Sequence, residues 1–126
     1  MFYLGHLPHN ICLQFYHISD WFIHLAWLDH CPNVVIEALS QNCPVICTES
    51  GGTKEVVGSN GIVIPETTPY NFELADYDNP YHLSLPQFRS SDFTFDKNDV
   101  LFNLGIEKVA NKYIEVFNES LCASAK

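Results

Sequence analysis

The sequence predicts an α/β fold built on a mainly parallel sheet flanked by helices. Short β-branched and aromatic runs alternate with stretches of helical periodicity, and no hairpin-forming dipeptide joins neighbouring strands. Parallel neighbours need crossover connections, which the helical stretches supply. Asn60-Gly61 is the tempting exception, but it follows a short helical turn. The length of 126 residues suits one core and leaves little room for two.

Taken in order, Phe2-Tyr3-Leu4 running into Gly5 reads as a strand from the start of the chain. Pro8 suits the first turn of a helix over residues 8–18, with Ile11, Phe15 and Ile18 forming its buried face at i, i+4, i+7. Residues 21–25, 44–48 and 61–64 read as three buried strands. Between the first two of these lies a helix over 33–41. Val34, Val35, Ala38 and Leu39 make its apolar face, while Asn33, Glu37 and Gln41 recur on another side and turn Glu37 away from the core. Asn42 then takes the left-handed position that ends a helix, and Pro44 forbids continuation.

Residues 66–99 turn polar, acidic and aromatic, with Pro69, Pro80 and Pro86 and no sustained period, and read as irregular. Ile106, Val109, Tyr113, Val116, Phe117 and Leu121 then fall at helical spacing, predicting an amphipathic helix within 100–124 that packs across the sheet or a neighbouring domain. The chain thus reads as one domain: an α/β core over 1–65, an irregular segment over 66–99 and a terminal helix.

Six Lys and Arg against fifteen Asp and Glu give a net charge of −9, which argues against nucleic acid and anionic membrane surfaces as partners. No apolar run approaches the roughly 18 residues of a bilayer span, and the N-terminus carries no secretory pattern. Five cysteines form no dense framework and suit reduced thiols, so the expected location is cytoplasmic.

The chemistry-bearing stretch runs from Asp29 through Glu37 to Gly51-Gly52-Thr53-Lys54-Glu55. It places two carboxylates around one helix N-terminus, Asp29 in the loop after a strand and Glu37 about a turn inside the helix. Orphan amides and the positive dipole end make such a terminus an anion site at the carboxyl edge of a parallel sheet. A carboxylate just inside the helix can accept hydrogen bonds from vicinal sugar hydroxyls. Phosphate and ribose together point to a nucleotide.

The strings Pro32-Asn33-Val34-Val35-Ile36-Glu37-Ala38, Pro44-Val45-Ile46 and Gly51-Gly52-Thr53-Lys54-Glu55 resemble the latter half of the donor-binding domain of GT-B glycosyltransferases, in the retaining family 4 or group 1 type. The resemblance covers about residues 1–65 and implies a partial Rossmann-like fold. It implies that Glu37 binds the donor ribose and that Asp29, standing where Glu is usual, lies near the transferred sugar. The amides around Pro32, Asn33 and Val34 would face the pyrophosphate, with His30 and Cys31 beside them; Gly51, Gly52 and Glu55 match the later glycine pair and its acidic follower. The implied donor is a nucleotide-diphosphate sugar used for hexosyl transfer, with Asp29 and Glu37 as the catalytic carboxylates. The family's basic pyrophosphate clamp and acceptor domain would lie upstream of Met1, so a separate acceptor-binding domain or subunit is the expected partner. Alone, the chain is expected to transfer sugar poorly or not at all.

Other candidates read as structural. Lys54 reads as a solvated surface group, and Cys31 lacks a specified base. His24 reads as a hydrogen-bonded core histidine, and His30 could reach a ligand. No metal and no further cofactor are expected, since Cys43-x3-Cys47 has no second pair and neither His6 and His9 nor His24, His30 and Cys31 have ligand spacing. Trp21, Trp27, Tyr70, Tyr77 and Tyr81 read as packing. Two alternatives stand beside the enzyme reading: a non-catalytic nucleotide-binding or interaction module, decayed or part of a split transferase, and a purely structural α/β domain.

Overall fold

The structure is a computed structural model that describes residues 1–66, Gln87 and 93–124. The order of elements is α1 (His9–Ile18), β1 (Phe22–His24), α2 (Asn33–Ser40), β2 (Val45–Thr48), α3 (Thr53–Val57), β3 (Gly61–Ile64), α4 (Lys97–Leu104) and α5 (Ile106–Ser124). The three strands form one parallel sheet in the order β1-β2-β3, with Phe22 opposite Val45 and Val45 opposite Gly61. Helices cross over between successive strands, as a partial Rossmann-like domain requires.

β2 is the centre of the sheet and buried at all four positions. β1 and β3 are only partly buried, and Ile23 is 59% exposed, so the expectation of three buried strands is corrected at the two outer ones. They are the sheet's edges among the described residues. The core gathers Val35, Ala38 and Leu39 of α2, Cys43, Val45 and Cys47 around β2, Val57 of α3 and Val100 of α4. Val34, expected on the same face, turns out and is 39% exposed.

α2 ends as its sequence dictates. Asn42 has φ 62°, its N–H donates to the Leu39 carbonyl and the next N–H, that of Cys43, reaches back to Ala38. These paired bonds close the last turn of the helix and point the chain into β2. Asn60-Gly61 makes no hairpin: α3 precedes it, and Gly61 opens a strand parallel to β2. Buried Asn60 accepts the Asp96 N–H on Oδ1 at 2.7 Å, tying the approach to α4 to the start of β3.

Three further expectations are corrected. Residues 1–8 form no strand; Phe2 and Tyr3 are more than 90% exposed, and with no partner strand among the described residues an apolar tripeptide has nothing there to hold it extended. α1 forms as expected but in a different rotation: its inner side carries Cys12 and Tyr16, with the Tyr16 ring edge-on to Phe22 at 5.1 Å, while Phe15 and Ile18 face outward. Ile11, Leu13, Phe15, Ile18 and Gln41 instead line an open groove of about 520 Å³. The terminal helix forms as expected as α5, 19 residues starting at Ile106 and preceded across Gly105 by α4, but its apolar stripe is exposed rather than packed on the sheet. Trp21 does pack, its ring 5.0 Å from Phe93. Tyr70, Tyr77 and Tyr81 lie outside the described residues, as does most of the segment read as irregular.

Candidate functional site

The loop after β1 is held by the last residue of β2 and the segment that follows it. Thr48 Oγ1 donates to the Ala26 carbonyl at 3.1 Å, Gly52 N–H to the Asp29 carbonyl at 3.0 Å and Thr53 Oγ1 to the same oxygen at 3.3 Å. Leu28, just before Asp29, sits at φ 59°, a left-handed conformation that costs a non-glycine residue about 1 kcal/mol. These bonds are what hold it there.

Gly51 and Gly52 make this seat possible. Gly51 has φ 76°, and a Cβ there would collide with the Asp29 carbonyl oxygen; a Cβ on Gly52 would collide with that of His30. The pair is therefore more than a turn, since it lets one backbone lie against another. Ser50 Oγ donates to Glu66 Oε1 at 2.8 Å, closing the same edge between β2 and β3.

The Asp29 side chain is about one-third exposed, and its Oδ2 lies 3.3 Å from His24 Nε2. The distance suits an ion contact, but the angle does not meet hydrogen-bond geometry, and the buried Nε2 has no hydrogen bond. The expected hydrogen-bonded core histidine is thus corrected: His24 stands at the carboxyl end of β1 with Asp29 as its close polar neighbour.

α2 starts at the end of this loop. Pro32 is buried and precedes the first turn, and the Val35 and Ile36 amides already donate to its carbonyl. The Asn33 and Val34 amides are the two that the helix itself leaves without an acceptor. Pro32 has no N–H, so it shapes the turn and offers no donor. Glu37 is about 29% exposed, and its Oε1 lies 3.1 Å from His9 Nε2 at the start of α1. Burial first, and the Glu37 charge second, push the Tyr16 phenol above its ordinary pKa. His30 and Cys31 are exposed at the loop's surface.

The structure therefore brings Asp29 and His30 against Gly51 and Gly52, with Cys31, Pro32, Asn33 and Val34 leading from that seat into α2, and it sets Glu37 against α1. Glu55 is exposed in the first turn of α3, on the far side of the glycine pair in sequence. Lys54 Nζ lies 3.9 Å from Glu49 Oε1 with both groups near half exposed, a weak surface pair. Sequence reasoning missed His9, Leu28, Ser50, Thr53 and Glu66. Thr53, directly after the glycines, could have been suspected; the others act across the fold and leave no local signal. Among the described residues no group of three His, Cys, Asp or Glu side chains could hold a metal ion, and no helix is long and apolar enough to cross a membrane.

Residues 1–75, which contain the whole of this edge, match the family described as Glycosyl transferases group 1. The chain belongs to the group 1 glycosyltransferases. A relative is TuaC of Bacillus subtilis (strain 168), named as a teichuronic acid biosynthesis glycosyltransferase, with 34% identity over 56 residues. That stretch is 44% of this chain and 14% of TuaC, so the chain matches only a small part of the relative's length. No solved structure matches significantly. Within the group 1 framework the parallel sheet, the loop carrying Asp29 and the start of α2 form one continuous edge.

Proposed function

We propose that this group 1 chain forms the nucleotide-sugar side of a GT-B donor domain and serves hexosyl transfer with retention. The observation that carries the reading is the seat of the Asp29-His30 backbone on Gly51-Gly52. It fixes a carboxylate-bearing loop and an uncapped helix start side by side at the carboxyl edge of a parallel sheet. In this reading the Asn33 and Val34 amides receive the diphosphate and the Glu37 carboxylate accepts the ribose hydroxyls. Asp29 steadies the donor sugar, flanked by His30 and Cys31, and Pro32 and the glycines shape the pocket wall. The site calls on no metal and no cofactor beyond the nucleotide-diphosphate sugar itself.

Transfer needs an acceptor held in line with the donor, and a leaving diphosphate whose charge is neutralised. The residues above bind and orient the donor. The acceptor, and cationic groups for the diphosphate, come from a separate domain or subunit. The isolated chain then binds donor without turning it over efficiently.

Calorimetric titration of the chain with uridine, guanosine and adenosine diphosphates and their sugars tests this. Binding to at least one of them, weakened about tenfold or more by Glu37→Ala, is expected. A folded chain that binds none refutes the proposal. The reading as a non-catalytic binding or interaction module is favoured by the exposed apolar faces of α1 and α5. Nucleotide binding with no transfer even when an acceptor domain is supplied would select it.

A further inference from the structure

His24 is the last residue of β1 and lies in register with Cys47 of β2, so it stands at the carboxyl end of the sheet where the candidate site begins. Its side chain is 14% exposed, and its Nε2 is buried with no hydrogen bond. An imidazole nitrogen closed off in this way has lost its hydration and gained no partner, an arrangement that native folds keep rare. The polar group beside it is the Asp29 carboxylate, whose Oδ2 lies 3.3 Å away.

The two side chains differ in their freedom to adjust. Phe22 and His24 share one side of β1, with ring centroids 6.1 Å apart, and Tyr16 of α1 meets the Phe22 ring edge-on. The imidazole therefore ends a packed row that starts in the helix. Asp29 is about one-third exposed, and the terminal torsion of an aspartate is soft. The contact falls short of a hydrogen bond by angle and not by distance, so a turn of the carboxylate about that torsion completes it.

Asp29 is then held at both ends. Its carbonyl accepts from Gly52 N–H and Thr53 Oγ1, which fixes the backbone, and its carboxylate accepts from His24, which fixes the side chain. A neutral imidazole with its proton on Nε2 is sufficient, because an ionised carboxylate only accepts. One oxygen engaged from the core side leaves the other for a hydroxyl arriving from solvent. A carboxylate fixed in this way meets that hydroxyl without first losing rotamer freedom.

We propose that His24 is a positioning residue: it donates from Nε2 to the Asp29 carboxylate and holds that acid in the orientation that receives a hydroxyl of the donor sugar. The role rests on the reading of this edge as a nucleotide-sugar site. It bears on the sugar alone, because the groups assigned to the diphosphate and the ribose, the Asn33 and Val34 amides and Glu37, belong to α2.

Nitrogen-15 NMR of the imidazoles in the whole chain reads the pairing without any ligand, with His24 assigned by its absence from the His24→Gln spectrum. Nε2 of His24 should carry a proton with a downfield resonance, and Asp29→Ala should move that resonance upfield while the circular dichroism stays unchanged. A His24 Nε2 without a proton, or one indifferent to Asp29→Ala, overturns the proposal.

Calorimetric titration with uridine, guanosine and adenosine diphosphates and their glucose, mannose and N-acetylglucosamine conjugates reads the role. His24→Leu should weaken the tightest conjugate about tenfold and its parent diphosphate less than about twofold. His24→Gln, whose amide N–H can reach the same oxygen, should restore the conjugate to within about threefold. In the Asp29→Ala background His24→Leu should cost nothing further, since it acts through that carboxylate. No loss on the conjugate, equal losses on conjugate and diphosphate, no rescue by His24→Gln, or additive losses overturn the proposal and leave His24 a packing residue of β1. A chain that binds no nucleotide at all fails differently: it refutes the donor-site reading, and the positioning role with it, even where NMR shows the pair.

Discussion

His9 Nε2 lies 3.1 Å from Glu37 Oε1, so the first residue of α1 already occupies the carboxylate that the proposed donor ribose would use. Any sugar hydroxyl that binds Glu37 competes with this imidazole or shares the carboxylate with it. His9→Ala should strengthen nucleotide binding two- to fivefold, on the order of 0.5–1 kcal/mol. Because His9 is mostly exposed, folding stability should change by less than about 0.5 kcal/mol. Titration calorimetry on the variant checks it, and unchanged affinity would mean that the two groups do not compete.

The glycine pair should be intolerant of a single methyl group. Gly51→Ala and Gly52→Ala each drive a Cβ into a backbone carbonyl, and a cost of about 2 kcal/mol or more is expected. Gly5→Ala is the control: it has a positive φ too, but open space around it, so about 1 kcal/mol is expected. Urea denaturation of the three variants measures the ranking.

Leu39 is 1% exposed at the centre of the core, and Leu39→Ala should cost about 2–5 kcal/mol. Ile18 is 74% exposed on α1, and Ile18→Ala should cost about 0.5 kcal/mol or less. Equal losses in thermal melts would mean that α1 buries the face containing Ile18, contrary to the rotation described.

The thiols divide by burial. Burial holds Cys43 and Cys47 above the ordinary thiol pKa, with Asp20 adding to the effect at Cys43, whereas Cys31 and Cys122 are exposed. Cys31 and Cys122 should react with a disulfide reagent at once, and Cys43 and Cys47 only as the chain unfolds. A folded pKa above the unfolded one means that the unfolded chain releases its proton first as pH rises. The stability held by these thiols is therefore whole below about pH 8.5 and declines through the alkaline range above it. Urea midpoints that do not fall between neutral and alkaline pH would contradict this.

Much of the fold was legible because it is written locally. The three β-branched runs lie where the strands are, and Asn42 and Pro44 mark the end of α2 at the residues that end it. The rotation of α1 was not legible: Ile11, Phe15 and Ile18 have the period of a buried face, but the side that packs is the one carrying Tyr16, whose ring finds Phe22. Tyrosine and cysteine give a weaker hydropathy signal than isoleucine, and tertiary contact decided between the faces. The apolar Phe2-Tyr3-Leu4 could not declare that no strand lies beside it among the described residues, nor could the stripe of α5 declare that the sheet does not cover it. At the candidate site, Asp29, Gly51 and Gly52 were each conspicuous, but their contact spans 22 residues or more and follows from the parallel register of β1 on β2. The His9 contact to Glu37 had no sequence signal.

The carbonyl of Asp29 accepts from both Gly52 and Thr53 at the start of α3, and that of Ala26 accepts from Thr48, the last residue of β2, the strand buried at every position. The loop is thus anchored to the part of the molecule that should be slowest to exchange its amide hydrogens. Its conformational entropy is surrendered when the chain folds, before any ligand arrives, so this side of the crevice behaves as a rigid template.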